Sequence, residues 1–303
     1  MTIFGYQGVS GSYSECAILK FSNYSNDIQS RGFAKFEDIF KALRNNEISY
    51  GFIPIENTTG GSIHINYDLL LEYSDMKIIY EYIHKVEHNL LVHPDSNYDN
   101  IEIVKSHPQA LAQVKNFLKD NNFKSESVYD TAGMAKYICE NNILNIAAIA
   151  SIRAAHVYNL KILKSNIEDN SNNYTRFLVI SNNNFPKIDN ITYKTSLVFS
   201  LLGDGPGYLY KALSAFATRD INLTKIESRP NASGSNDKEY QYLFYLDFIT
   251  SSDKNLKNAI RHLNELTTFT RILGNYPKFE EKYDFNKLIL NNNEVIKELS
   301  VGI

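Results

Sequence analysis

From Met1 to about Asn170, short β-branched runs alternate with segments whose apolar residues recur every three or four positions. The β-branched runs predict strands at Thr2–Tyr6, Ile28–Phe33, Ser49–Ile53, Lys77–Ile83, Ile101–Lys105 and Ile146–Ile149. Helices are predicted at Ser14–Phe21, Phe36–Arg44, Ser62–Leu71, Pro108–Leu118, Thr131–Glu140 and Ile152–Tyr158. Phe36, Ile39, Phe40 and Leu43 follow i, i+3, i+4, i+7, which places one apolar stripe along a helix. This alternation predicts an α/β domain with a mostly parallel sheet. The polar stretch Ser181-Asn182-Asn183-Asn184-Phe185-Pro186 reads as a linker. Beyond it the pattern gives a strand (Thr195–Leu202), a helix (Gly207–Arg219), two strands (Ile221–Ser228, Tyr240–Thr250), a helix (Leu256–Leu266) and a strand near Phe269–Leu273. That order is βαββαβ, the ferredoxin-like arrangement. Asn231–Asn236 reads as a flexible hairpin tip, and the tail after Pro277 receives no element.

Length and charge narrow the function classes. A chain of 303 residues exceeds what one core usually holds, so two or three domains are expected. Net charge of −3 gives no basic face for nucleic acid. No segment approaches the ~20 apolar residues of a membrane span. The chain opens on a strand-like run without the basic and apolar regions of a secretory signal, so a cytoplasmic setting is expected. Two cysteines, Cys16 and Cys139, offer neither a disulfide framework nor a cysteine metal cluster.

Candidate chemistry gathers where strands pass into helices. Gly8-Val9-Ser10-Gly11-Ser12-Tyr13-Ser14 follows the first strand, and Pro54-Ile55-Glu56-Asn57-Thr58-Thr59-Gly60-Gly61-Ser62 the third. Ser106-His107-Pro108-Gln109, Asp130-Thr131-Ala132-Gly133 and Ala150-Ser151 open three more helices. Helix N-termini carry unpaired N–H donors and receive carboxylates and phosphates. Ser, Thr and Asp at these points also cap helices in any protein, but five such junctions, two of them glycine-rich, suggest a small organic acid as ligand. No nucleotide fingerprint is present.

Two further motifs carry alternatives. His84-Lys85-Val86-Glu87-His88 has the H-x-x-E-H spelling of certain zinc sites, which need both histidines on one helical face and a further ligand, yet its neighbours pattern as strand. In Tyr174-Thr175-Arg176-Phe177, an Arg within a half-buried strand needs a partner, and its fork suits a carboxylate. The plainer alternative is a strand-edge Thr beside a surface Arg.

Pro54-Ile55-Glu56-Asn57, Ser106-His107-Pro108-Gln109-Ala110-Leu111-Ala112-Gln113 and Thr175-Arg176-Phe177 together resemble the prephenate dehydratase family. Ile221-Asn222-Leu223-Thr224-Lys225-Ile226-Glu227-Ser228-Arg229-Pro230 resembles the ACT domain attached to those enzymes. Tyr6-Gln7-Gly8, Gly61-Ser62-Ile63-His64 and Asn66–Leu71 resemble the plant arogenate dehydratase branch, although Ile65 stands where that branch commonly has Arg. Ser12 stands where Ala or Thr is usual in the family.

The resemblance implies a bilobed catalytic domain like the type II periplasmic binding proteins over residues 1–180. A linker at 181–193, a ferredoxin-like ACT regulatory domain at 194–276 and a tail at 277–303 would follow. It implies conversion of prephenate to phenylpyruvate with loss of carbon dioxide and the ring hydroxyl, without metal or organic cofactor. Thr175 is assigned to the departing hydroxyl, and Glu56, Asn57, Ser106 and Gln113 to orienting substrate and supporting proton transfer. Arg176 is expected to anchor a carboxylate and Phe177 to pack beneath the ring, with Ser12, Ser14 and Thr131 also in the substrate site. Gly205, Gly207, Leu209, Asn222, Leu223, Glu227 and Arg229 are the expected phenylalanine-binding positions, in a homodimer or homotetramer; Tyr208 replaces a small residue common in that loop. Arogenate as substrate, a non-catalytic amino-acid sensor, and an ACT domain serving dimerisation alone are the competing readings.

Overall fold

The computed structural model describes residues 1–183, 191–230, 242–250 and 253–281. The first part of the chain builds a lobe from β1 (Thr2–Gln7), α1 (Tyr13–Phe21), β2 (Ile28–Phe33), α2 (Phe36–Arg44), β3 (Tyr50–Asn57), β4 (Gly61–Ser62), α3 (His64–Glu72) and β5 (Lys77–Lys85). A second lobe follows: β6 (Asn89–Val92), β7 (Ile103–Ser106), α4 (Pro108–Ala112), α5 (Lys115–Asp120), β8 (Lys124–Ser127), α6 (Thr131–Glu140), β9 (Ile146–Ala150), α7 (Ile152–Val157) and β10 (Lys161–Ser165). The chain then returns through β11 (Tyr174–Ser181), which pairs antiparallel with β3 of the first lobe. Sheet order is β2-β1-β3-β11-β5 in the first lobe, with β4 on β3, and β10-β6-β9-β7-β8 in the second.

Both sheets are mixed, which corrects the mostly parallel sheet expected from the pattern. β1 runs parallel to β2 and β3, and β7 to β8 and β9, whereas β11, β10 and β6 pair antiparallel. The cause is the double crossing between lobes: a strand arriving from the other lobe needs no helical crossover and can pair in either direction. The expected Pro108–Leu118 helix is broken into α4 and α5 at Gln113 and Val114. Val114 takes φ −129°, and the Gln113 carbonyl accepts from the Asp169 N–H at 2.8 Å. The strands β4, β8 and β10 were not predicted, and β6 was read only as a strand-like neighbour of the H-x-x-E-H run.

Core formation follows the apolar pattern. Ile39, Phe40 and Leu43 of the α2 stripe are fully buried. Phe4, Phe21, Phe52 and Phe177 pack together in the first lobe, the first three edge-on or tilted and the last two stacked at 4.7 Å between ring centroids. Val104, Val114, Ala147 and Ile149 form part of one second-lobe cluster, and Met134, Ala135, Ile138 and Ala148 part of another.

These elements, apart from the first half of β5, form one compact unit, Met1–Tyr73 with Tyr82–Ser181; Ser74–Glu81 with Asn182–Glu280 forms the other. The latter carries β12 (Tyr193–Leu201), α8 (Tyr208–Ala217), β13 (Leu223–Pro230), β14 (Tyr242–Thr250), α9 (Asp253–Asn264) and β15 (Thr267–Pro277). This is the expected βαββαβ order, in an antiparallel sheet β13-β14-β12-β15. Leu197, Phe199, Phe216, Leu246 and Phe248 form its apolar core. On the alternate face of β12, Lys194 pairs with Glu81 at 2.8 Å, and Ser196 bonds Asp247 and Tyr276. Gly274 belongs to this unit, and a Cβ there would collide with the Ile78 carbonyl. Much of the expected linker, the hairpin tip at 231–236 and most of the expected tail lie outside the described residues. Among the described residues no helix is long and apolar enough to cross a membrane.

Candidate active site

Strand periodicity sorts the Tyr174–Phe177 motif onto two faces. Thr175 and Phe177 line a cleft of about 1340 Å³ between the lobes. Arg176 points the other way, 8% exposed, and its guanidinium donates to Glu56 Oε1 at 3.0 Å. The pairing Arg176↔Glu56 is followed by Phe177↔Pro54, so β3 carries one extra residue, Ile55, as a bulge. The bulge resets the alternation and lets both Pro54 and Asn57 face the cleft.

Three expectations change accordingly. Arg176 is not a free carboxylate anchor on the cleft wall: its charge is directed to Glu56 on the opposite face of the strand. Glu56 is thereby engaged away from the cleft. Ser106 is fully buried, and its hydroxyl donates to the Ile149 carbonyl at 2.7 Å, tying β7 to β9 and not facing the cleft. Asn57, Gln113, Ser12, Ser14 and Thr131 all line the cleft with Thr175 and Phe177. Phe177 is 2% exposed and stacks on Phe52, so most of its ring belongs to the core.

The helix termini are mostly satisfied from within. Asp130 accepts from the Ala132 and Gly133 N–H groups at 3.2 and 3.1 Å, capping α6 at Thr131 with a negative charge. Ser151 accepts from Ala154 N–H and donates to the Gly11 carbonyl at 2.6 Å. In the glycine-rich loop, Glu15 receives Gly11 N–H at 2.5 Å and the Ser10 hydroxyl, and pairs with Arg153 at 3.4 Å. That loop therefore wraps a carboxylate of its own. At the start of α1, Ser12 accepts from Glu15 N–H, while Tyr13 and Ser14 open the helix on the cleft wall, where first-turn N–H groups have no intrahelical partner. Among the described residues no Lys or Arg lines the cleft. An anion there meets hydroxyls, amides and N–H groups.

Several cleft residues were given no role in the site from sequence. His88 stood only in the H-x-x-E-H spelling and Tyr13 and Thr59 only within two junctions, and the fold brings them to Gln113. His88 Nε2 lies 2.7 Å from Gln113 Oε1 and Nδ1 lies 2.5 Å from the Tyr13 hydroxyl. Gln113 Nε2 donates to Thr59 Oγ1, which donates to Asn57 Oδ1 at 2.7 Å. Asn57 Nδ2 donates to Thr175 Oγ1 at 3.0 Å and to Asn173 Oδ1 at 2.9 Å. Burial holds His88 below the usual histidine range, against the Gln113 hydrogen bond and the charge of Glu168, and burial pushes the Tyr13 phenol up. Both are neutral near pH 7.

The H-x-x-E-H spelling comes apart here as the strand reading expects. His84 lies in β5 among Tyr82 and Phe177, whereas His88 turns to Tyr13 and Gln113. Burial, with a smaller push from Lys20, lowers the pKa of His84 to about 3. Unfolded His84 takes up a proton below about pH 6.5 that the folded ring refuses, so stability is complete above that value and falls as pH drops toward 3. At pH 5 the loss from this residue is expected to be about 2 kcal/mol. Urea melts of the parent and His84→Leu at pH 7 and pH 5 check it: the parent should lose more on acidification than the variant, and equal losses would refute the assignment.

In the second unit, Gly207 takes φ +83° at the start of α8, and the Tyr208 ring folds back against Gly203 and Gly205. Leu209 and Leu223 pack on the apolar core. The Asn222 carbonyl accepts from Ile249 N–H at 3.0 Å. Leu223, Glu227 and Arg229 share the half-buried face of β13, where Glu227 pairs with Lys225 at 3.4 Å.

Comparison with known proteins agrees with this architecture. The prephenate dehydratase family model matches residues 4–185. Over 279 residues the chain is 46% identical to arogenate dehydratase/prephenate dehydratase 2 of Arabidopsis thaliana, covering 90% of this chain and 72% of that protein. It is 41% identical over 271 residues to the prephenate dehydratase of Methanocaldococcus jannaschii, covering 89% and 96%. The crystal structure of prephenate dehydratase from Arthrobacter aurescens in complex with L-Phe has TM-score 0.81 at 24% identity, covering 99% of this chain and all of that one. A protein described as a quorum-quenching acylase has TM-score 0.82 at 28% identity, covering 93% and 100%. With the family match spanning more than half of the sequence, the chain belongs to the prephenate dehydratase family.

Proposed function

We propose that this chain converts prephenate to phenylpyruvate. One observation carries the reading: the Thr175 hydroxyl faces the cleft beside Phe177 and accepts from the Asn57 amide, so its own proton is left to donate. The ring–carboxylate bond breaks as carbon dioxide leaves, and its electron pair enters the ring. The ring C–OH bond breaks at the opposite carbon, and hydroxide, a poor leaving group, departs as water by taking up one proton. Thr175 supplies or relays that proton. Aromatisation makes the step downhill, so the protein's task is to steer charge. A departing carboxylate leaves readily from a wall without Lys or Arg, while the pyruvyl carboxylate is held at the start of α1, beside Ser12 and Ser14. Thr131 contacts the substrate from the second lobe. Glu56 serves by holding Arg176, and Ser106 by holding β7 to β9.

Residues 1–180 form the catalytic domain of this reading, 181–193 the linker and 194–276 an ACT regulatory domain, in a cytoplasmic enzyme. Phenylalanine binds at Gly205, Gly207, Leu209, Glu227 and Arg229, with Asn222 and Leu223 contributed across a subunit boundary, in a homodimer or homotetramer. Ile226, Tyr242, Phe269 and Ile272, exposed on the strands of the second unit, support such a contact. Arogenate, named for the Arabidopsis relative together with prephenate, is the second substrate to test. The Ser106 hydroxyl is turned into the sheet, and neither cysteine lines the cavity.

Incubation with prephenate and with arogenate, read as phenylpyruvate absorbance in alkali and as phenylalanine, tests the reading. Turnover of prephenate with inhibition and a thermal shift by phenylalanine is expected. No turnover of either compound refutes catalysis, and no response to phenylalanine refutes the regulatory half.

A further inference from the structure

The hydrogen bonds behind Thr175 have a direction that two backbone groups impose. Thr59 N–H and Gly60 N–H both point at the Asn57 side chain, at 3.0 and 2.8 Å. A backbone N–H can only donate, so the atom they meet is the Asn57 carbonyl oxygen, and the amide nitrogen is the atom facing Thr175. The Thr59 hydroxyl donates to that same oxygen, so its lone pairs face Gln113, which must present its NH₂ there. Gln113 then presents its oxygen to His88, which must carry its proton on Nε2. His88 Nδ1 is left bare, and the Tyr13 hydroxyl donates to it. Asn173 Nδ2 also donates to the Gln113 oxygen, at 3.0 Å, in the same sense.

We propose that Tyr13, His88, Gln113 and Thr59 are positioning residues that brace Asn57 in the direction its two backbone donors set, and so hold Thr175 as a hydrogen-bond donor toward the cleft. The inference rests on the dehydratase reading above and deepens it. Each link satisfies one donor and one acceptor, so reversing any link reverses or breaks the others. The chain runs from the first lobe at Tyr13 through Gln113 in the second and back to Thr59 in the first. The Gln113–Thr59 link therefore forms only while the lobes face each other, and lobe closure completes the support behind Asn57. His88 is buried at 2% exposure, and its low affinity for a second proton keeps the single-proton form in place near neutral pH.

Three measurements test the proposal. Nitrogen chemical shifts of ¹⁵N-histidine-labelled protein should show His88 as the Nε2–H tautomer, whether or not the protein turns over prephenate. A proton on Nδ1 overturns the chain even if the dehydratase reading stands. Kinetically, His88→Leu, which has no donor, is expected to lower kcat at least ~10-fold with KM changed less than about twofold, and His88→Gln to recover much of the loss through its amide. Gln113→Glu carries the strongest signature, because an ionised carboxylate cannot donate to Thr59 while a protonated one can. The titratable groups around that side chain are His88, Tyr13 behind it, and Glu168 and Asp169 on the segment after β10. Its kcat is expected to rise relative to the parent as pH falls from 7.5 to 5.5, with circular dichroism confirming the fold. Variants folded and as active as the parent, or a loss that neither the amide nor acid restores, would overturn the proposal. A parent inactive on both substrates with His88 in the Nε2–H form would instead remove the dehydratase reading and leave the chain.

Discussion

Thr175→Ala is expected to lose at least about two orders of magnitude in kcat on prephenate while the fold survives, the lower bound for loss of one general acid. The cost to the fold is small because the side chain is half-buried near the start of β11 and gives up one neutral hydrogen bond, worth about 1 kcal/mol. The Asn57 amide keeps Asn173 Oδ1 and the Tyr174 carbonyl as acceptors, so no buried donor is orphaned. The rate suffers because hydroxide then departs without the one hydroxyl that Asn57 holds in donor form. Thr175→Ser should retain most of the activity, since it keeps the hydroxyl and loses only a methyl group. Steady-state turnover of both variants, beside thermal melts, checks this. Near-parent turnover of the alanine variant removes Thr175 from the chemistry.

Glu81→Ala is expected to cost about 3 kcal/mol of stability, the range for orphaning one member of a buried ion pair. The Glu81 side chain is 1% exposed; one oxygen meets Lys194 Nζ at 2.8 Å and the other the Phe279 N–H at 3.1 Å. The Lys194 side chain is 10% exposed, so the variant removes a carboxylate that serves an ammonium and a backbone donor away from water. Most of the penalty comes from that desolvated charge, and the pair itself contributes little net stability. Glu81→Leu combined with Lys194→Met should therefore recover much of the loss. Urea midpoints of the single and double variants decide it, and a single variant within 1 kcal/mol of the parent would show that the pair is solvated.

The apolar rhythm was enough to place most helices and the long strands. Phe36–Arg44 and Thr131–Glu140 appear with the predicted bounds, because a stripe such as Ile39, Phe40, Leu43 can be buried in only one conformation. The βαββαβ order was legible for the same reason. The motif residues Asn57, Gln113, Thr175 and Phe177 were legible as a set, and alternation along β11 already separates Thr175 and Phe177 from Arg176. What lies on the far side of that strand was not legible. Arg176 finds Glu56 because two strands distant in sequence pair in one register, and Asn57 reaches the cleft because Ile55 bulges. Neither event leaves a local trace, since both depend on which distant strand pairs with β3 and in what register.

The same holds for the hydrogen-bond chain. In sequence His88 belongs only to the H-x-x-E-H spelling and Tyr13 and Thr59 to two junctions, and they acquire a direction only where α1, the broken α4–α5 corner and the loop after β3 converge. The order of amino acids set which segments coil and which extend, since those choices depend on neighbours a few positions away. Which polar atoms meet, and which of them must give the proton, was settled by contacts between residues up to a hundred or more positions apart, such as Asn57 with Thr175. Hydrogen bonding has no period along a chain, and its donors and acceptors are assigned only once every partner is in place.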